Sequence, residues 1–321
     1  MADAATGYVI RRMEQEELAF ALDLARAEGW NPGLHDAQAF WQADPQGHFL
    51  GLLNGRPAAT ITAVTYPRDL PVDDRDAGPD QSSGFGFLGL YIVAPELRGR
   101  GLGYRLWDAA LSTLSAPTVG LDAVLAQQDT YRRSGFALAQ RNCRYQGQFL
   151  ARGGAVPGGA LPAGLLPLDG FPFDEVLAYD RQCFPARREG FLRAWLATPG
   201  SIALGLRRGG RLAGYGVVRP CGLGSKIGPL FADDDAAAHA LFHGLCHGLR
   251  HGLRHGLRKT VSPLAKAGPV FLDVSLAHAG AVRLAEAHDM KPVFETGRMY
   301  RGPAPEMDLG RVFGITSFEL G

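Results

Sequence analysis

The sequence predicts a mixed α/β layer written twice along one chain, and three observations carry that expectation. Helical periodicity precedes β-rich runs, turn signals punctuate those runs, and landmark residues recur at one fixed separation. EELAFALDLARAEGW (16–30) carries the apolar spacing of a helix. GHFLGLLNG and RPAATITAVTY then meet at Asn54-Gly55, the strongest short signal for a hairpin. After a polar loop come a strand, GFGFLGLYIV (84–93), a glycine loop and a helix, GYRLWDAALSTL (103–114). Strand, short helix and strand around Tyr131-Arg-Arg-Ser-Gly-Phe136 close the first copy.

The second copy is legible from its landmarks. Trp41 and Trp195, Leu50 and Leu204, and Arg144 and Arg298 are each 154 positions apart, and each Leu-Gly-Leu is followed by a Gly-Arg turn. The shared order points to duplication, with domains at 1–150 and 165–321 joined by the Gly/Pro-rich linker 151–164.

Composition narrows the function. At 321 residues and 46% hydrophobic the chain can build a core, and a net charge of +1 argues against a polyanion binder, so no nucleic-acid partner is expected. Four cysteines without a CxxC pair read as reduced thiols, fitting a cytoplasmic location. The first residues lack an apolar signal core and no apolar run is long enough for a bilayer, so no membrane partner is expected.

Chemistry concentrates in Tyr91-Ile-Val-Ala-Pro-Glu-Leu-Arg-Gly-Arg-Gly-Leu-Gly103, between a strand and a helix. Glycines 99, 101 and 103 leave backbone N–H groups unscreened, the helix N-terminus adds free amides, and Arg98 and Arg100 add positive charge. Together they form a nest for a pyrophosphate. The spacing of this loop is R-x-x-G-x-G and not the Rossmann GxGxxG, and it lacks the Gly-Lys-Ser/Thr of a Walker A loop.

Arg98-Gly-Arg-Gly101-Leu-Gly103 resembles the R/Q-x-x-G-x-G/A loop of the GNAT N-acetyltransferase superfamily, and Tyr131-Arg-Arg-Ser-Gly135-Phe136 is similar to its later Y-x-x-x-G-F segment. The duplicated layout resembles tandem GNAT proteins with a diverged second domain. The resemblance implies two tandem GNAT-like domains, each a mostly antiparallel sheet flanked by helices. It also implies acetyl-CoA as co-substrate, direct transfer of the acetyl group to a primary amine, and no metal.

By that resemblance Ile92 and Val93 pair their backbones with the pantetheine arm. Arg98, Gly99, Arg100, Gly101, Leu102 and Gly103 hold the pyrophosphate. Tyr131 stands at the position of the family's general acid, although packing of its short helix would also explain it. The acceptor, a small-molecule or protein amine, is not identified, and no general base stands out. Asp129 reads as a helix N-cap; Asp36, His35 and Trp30 fall where the family often borders the acceptor, with Trp30 open to an ordinary core role. The acidic loop 67–83 reads either as a rim for a cationic amine or as a solvated loop.

The second half lacks R-x-x-G-x-G. Asp233, Asp234 and Asp235 stand near the pyrophosphate position, and Leu284 stands where Tyr131 does, so this half is expected to be non-catalytic. A non-catalytic acyl-CoA-binding regulatory module remains the alternative for the whole chain. HGLCHGLRHGLRHGLR (243–258) reads as an expansion on a helix, its leucines holding the sheet and its His and Arg mostly in water; weak zinc binding is the other reading.

Overall fold

The computed structural model describes residues 7–67, 83–148, 162–251 and 268–321. The first half comprises β1 (Tyr8–Arg12), α1 (Leu18–Ala27), α2 (Asp36–Ala43), β2 (His48–Leu53), β3 (Arg56–Pro67), β4 (Ser83–Val93), α3 (Leu102–Leu111), β5 (Val119–Val124), α4 (Gln128–Arg133) and β6 (Ala137–Gly147). The second repeats the series as β7 (Leu165–Pro167), α5 (Phe173–Cys183), α6 (Glu189–Leu196), β8 (Ile202–Arg208), β9 (Arg211–Pro220), β10 (Ser225–Ala232), α7 (Asp235–His251), β11 (Val270–Ser275), α8 (Ala279–Ala287) and β12 (Lys291–Arg301). A further short strand, β13 (Val312–Gly314), has no counterpart among the described residues of the first half.

The expected hairpin forms between β2 and β3. Asn54 and Gly55 both take positive φ, 50° and 77°, which matches the twist of the flanking strands. All strands of the described residues join one mostly antiparallel sheet, in the order β1-β2-β3-β4-β5-β12-β6-β11-β10-β9-β8-β7, with β13 on β10.

That order contains an exchange. The last strand of the first half, β6, pairs with β11 of the second, while β12 pairs with β5 of the first. β6 and β12 also pair with each other, antiparallel. Two related ion pairs anchor the exchange: Arg144 on β6 grips Asp273 on β11 at 2.6 and 2.8 Å, and Arg298 on β12 grips Asp122 on β5 at 3.0 and 2.6 Å. The arginines that betrayed the duplication are therefore the ones that lock the last repeated strand of each half into the other. Off the sheet, α2 packs on α6, with Phe40 stacked on Trp195 at 6.3 Å. One apolar cluster consequently draws residues from both halves, including Leu22, Phe40, Leu90, Phe191 and Phe318.

His48 lies fully buried against Trp41, its Nε2 donating to the Phe40 carbonyl at 3.2 Å. Burial holds its pKa down to about 4. The unfolded chain therefore takes up a proton, as pH falls below the ordinary histidine value of about 6.5, that the native state refuses until about pH 4. This contribution is present above that upper value and is lost across the window, on the order of 3 kcal/mol. Urea denaturation at pH 7 and pH 5 is expected to show the loss, and His48→Gln, which keeps a donor for Phe40, to flatten the dependence.

Candidate active site at the split strands

β4 and β5 run parallel and pair only where Gly86, Phe87 and Leu88 meet Val119, Gly120 and Leu121. Beyond that they diverge. A bulge in β4 sharpens the divergence: its register with β3 shifts around Leu90, which takes φ 44° and accepts a hydrogen bond from Thr60 Oγ1 at 2.7 Å. The strands then border a cavity of about 390 Å³. Tyr91, Trp107 and Tyr131 wall it on the α3 side, and Glu28 and Trp30 at the end of α1 wall it elsewhere. Phe294, Thr296, Phe318 and Glu319, all from the second half, complete it.

The register decides which backbone groups reach this cleft. Ile92 lies opposite Thr60, whereas Val93 lies opposite Ala59, and the next pair along is bonded through Ala94 N–H to Ala58 O. Antiparallel pairs alternate, so Ile92 points its backbone groups at β3 and Val93 turns its own toward β5. Of the two expected positions, Val93 is the one with backbone groups facing the cleft. Its carbonyl accepts from Arg98 Nε at 3.0 Å, and the same guanidinium also pairs with Glu28.

The glycine loop turns tightly into the N-terminus of α3. Gly99 and Gly101 take φ of 76° and 77°, and a Cβ at either would meet nothing within 4 Å. Gly101 is the N-cap of α3, and no side chain caps the helix, so its first-turn amides have no side-chain acceptor. Gly103 answers a different need: a Cβ there would come within 2.8 Å of Tyr91 Oη and Val93 Cγ2, so only glycine lets α3 lie this close to β4. Arg100 is exposed and Leu102 is buried beside Tyr8.

Tyr131 projects from α4 into an aromatic group, 5.2 Å from Trp107 and 6.5 Å from Phe136 between ring centroids. It lines the cavity, and its hydroxyl has no hydrogen-bond partner among the described residues. Burial, with the Tyr91 phenol nearby, pushes its pKa well up, so the phenol carries its proton throughout the neutral range.

The second half has the same split, but it is filled. β10 and β11 pair over Ser225–Ile227 and Val270–Leu272 and then diverge. Into that gap comes β13, pairing Gly314 with Leu230 and Val312 with Phe231, and Ile315 N–H bonds the Asp273 carbonyl at 2.7 Å. Asp234 accepts from Ala237 N–H at 2.8 Å at the start of α7, the helix-terminus role its sequence suggested. Leu284 is buried in the core of this half. In α7, Phe242, Leu245 and Leu249 face that core, His243 and His247 are half-buried, and residues 252–258 lie outside the described residues.

Other expectations resolve differently. Asp129 caps nothing: α4 begins one residue earlier, and its carboxylate pairs with Arg132 at 2.5 Å. Asp36 is buried away from the cavity, held by Arg219 and by Gly33 N–H, so it ties the halves together. Trp30 does line the cavity, with its carbonyl accepting from Arg144 at 2.5 Å. The loop 68–82 lies outside the described residues. Asp122 and Glu319, two carboxylates on the cavity wall, carry no motif in the sequence. Asp122 sits in a plain strand, and Glu319 sits in a tail separated from the glycine loop by more than two hundred positions.

Split strands, a glycine loop at a helix N-terminus and a cavity between them are the features of an acyltransferase of the GNAT class. A GNAT family model matches residues 11–136 and a second GNAT-domain model matches residues 176–267, together more than half of the chain. Holothin acyltransferase from Pseudoalteromonas sp. (strain SANK 73390) is 26% identical, over 95% of this chain and 92% of its own length. Among solved structures, a Pyrococcus horikoshii protein superposes with a TM-score of 0.73 at 18% identity, covering 98% of this chain and 96% of its own. A tandem GNAT protein from the clavulanic acid biosynthesis pathway gives 0.59 at 14%, covering 92% and 99%. The chain belongs to the GNAT superfamily of N-acyltransferases, as a tandem protein whose second domain has diverged. No helix among the described residues is long and apolar enough to cross a membrane.

Proposed function

We propose that the first half is the working N-acetyltransferase, taking acetyl-CoA in the β4–β5 split and passing its acetyl group directly to a primary amine. The asymmetry of the two splits carries this reading. One opens onto a cavity beside a glycine nest, and the other is occupied by the chain's own β13. Val93 offers backbone groups to the pantetheine arm, while the nest from Arg98 to Gly103 suits a pyrophosphate. Tyr131 is the proton donor to the departing sulfur, a role supported by its place on the cavity wall with a hydroxyl that has no partner among the described residues. The second half is a non-catalytic partner that supplies the far wall of the cavity.

A cavity of about 390 Å³ walled by Trp30, Phe294 and Phe318 suits a small-molecule amine better than a protein one. The similarity to holothin acyltransferase makes holothin the first acceptor to assay. Calorimetry with acetyl-CoA is expected to give one site per chain, and Gly101→Val to weaken binding at least about tenfold, because valine is strained at positive φ. Tyr131→Phe is expected to lower turnover about 10- to 100-fold with acetyl-CoA affinity kept. Two coenzyme sites per chain would contradict the assignment of the halves. Tight binding without turnover on holothin or any amine of a panel would instead favour a regulatory acyl-CoA-binding module.

A further inference from the structure

We propose that Glu319 is the general base of this reaction, carried into the first half's cavity by the tail of the second. The inference rests on the reading above, that an amine is acetylated in this cavity.

The first observation is a contrast among buried carboxylates. Asp36, Asp122, Asp180 and Asp273 each have both oxygens held by one arginine: Arg219, Arg298, Arg188 and Arg144 respectively. Glu319 is only 3% exposed, yet no cation among the described residues lies within ion-pair distance of it. A buried carboxylate without a partner is costly, and such groups persist where chemistry uses them.

The second observation is how the carboxylate is held. Ser317 Oγ accepts from Glu319 N–H at 3.0 Å and Leu320 N–H at 3.2 Å, so its proton is committed to Glu319 Oε2, at 2.8 Å. Oε1 has no partner among the described residues, and the side chain lines the cavity. The backbone is equally fixed. Tyr66 Oη donates to the Leu320 carbonyl at 3.0 Å, and the Glu319 carbonyl sits so close to Gly89 that a Cβ there would come within 1.8 Å. Glycine at position 89 of β4 is thus what admits the tail.

The third observation is the surrounding charge. Arg144 on β6, Arg219 on β9 and Lys226 on β10 feel the field of Glu319, as does Asp122 on β5. The two arginines are already committed to Asp273 and Asp36. Lys226 is fully buried with no carboxylate within ion-pair distance among the described residues, so it balances Glu319 at longer range without covering it.

An aliphatic amine arrives as ammonium, and Glu319 Oε1 takes one proton, freeing the lone pair. Nitrogen attacks the thioester carbonyl carbon, the C–N bond forms, and the C–S bond breaks with its electron pair leaving on sulfur. Tyr131 protonates that sulfur and is restored, through solvent, by the second nitrogen proton. Glu319 releases its proton to water, so one proton appears per turnover.

Because the second nitrogen proton leaves through solvent, Glu319 is needed only by an amine that arrives protonated, and that separates the proposal from a structural role. With phenethylamine, an ammonium at pH 7, Glu319→Gln is expected to lower kcat/KM about 100-fold or more. With p-anisidine, already neutral there, the loss is expected to stay within about threefold, against the roughly 100-fold scale of general-base catalysis. The phenethylamine rate of the variant should climb with pH as the free amine appears, while acetyl-CoA affinity by calorimetry is unchanged. Equal losses with both amines would overturn the proposal. An arm independent of acceptor choice is carbodiimide coupling to glycinamide, read by peptide mass spectrometry. Glu319 should be modified while Asp36, Asp180 and Asp273 stay protected; an unmodified Glu319 would equally overturn it. Failure of the wild type to bind acetyl-CoA would strike the reading of the cavity instead, and calorimetry detects that separately.

Discussion

Removing residues 312–321 is expected to leave no cooperatively folded protein. Val312, Phe313, Ile315, Phe318 and Leu320 are all buried. At about 1.5–3 kcal/mol per side chain their burial is worth roughly 7–15 kcal/mol, an upper figure because the unfolded chain already hides some surface. Typical net stabilities are about 5–15 kcal/mol, so the deletion removes an amount comparable to the whole. It also strips β13 from β10 and removes Thr316, which accepts from the buried Arg188 at 2.9 Å. Circular dichroism and size exclusion should reveal an aggregated or expanded chain. A cooperative transition near the wild-type midpoint would contradict the argument. The same segment that fills the second split furnishes a wall of the first cavity, so stability and function depend on one stretch of chain.

The local chemistry of the fold was legible in the sequence, and the long-range pairing was not. Asn54-Gly55 announces its hairpin because the turn's positive φ values select those residue types. Gly99 and Gly101 announce the tight turns before α3 for the same reason. Trp41 and Trp195 marked the duplication, and the structure places them on α2 and α6, which pack together. The exchange of β6 and β12 leaves no comparable trace, because a strand's pattern specifies which face is buried and not which neighbour it meets. The aspartates answering Arg144 and Arg298 stand 151 positions apart, off the repeat of 154, so their partnership was hidden in sequence. Glu319 was hidden for a related reason: a carboxylate in a terminal segment carries no periodicity, and only the fold brings it over Gly89.

Arg144 bears the second large expectation. Its guanidinium grips Asp273, donates to the Trp30 carbonyl, and lies 5.2 Å from the Phe318 ring and 5.7 Å from the Phe294 ring. It therefore joins the exchanged strand, the end of α1 and the tail at the floor of the cavity. Replacing it with alanine strands Asp273 in a dry interior, and breaking a buried pair on one side costs about 3–5 kcal/mol. Denaturation in urea is expected to show that loss with the slope retained. The same principle makes the double variant Arg144→Met, Asp273→Leu less damaging than Arg144→Ala, since neither charge is then left alone. If the single variant cost no more than the double, the pair would not be what locks the exchange. The related pair supplies an internal control: Arg298→Ala should give a comparable loss at Asp122, whose side chain is as fully buried. Arg144 should also affect chemistry through the tail. Only Arg144 stacks on Phe318, beside Glu319, so its loss should loosen the tail and lower turnover beyond what the drop in stability explains.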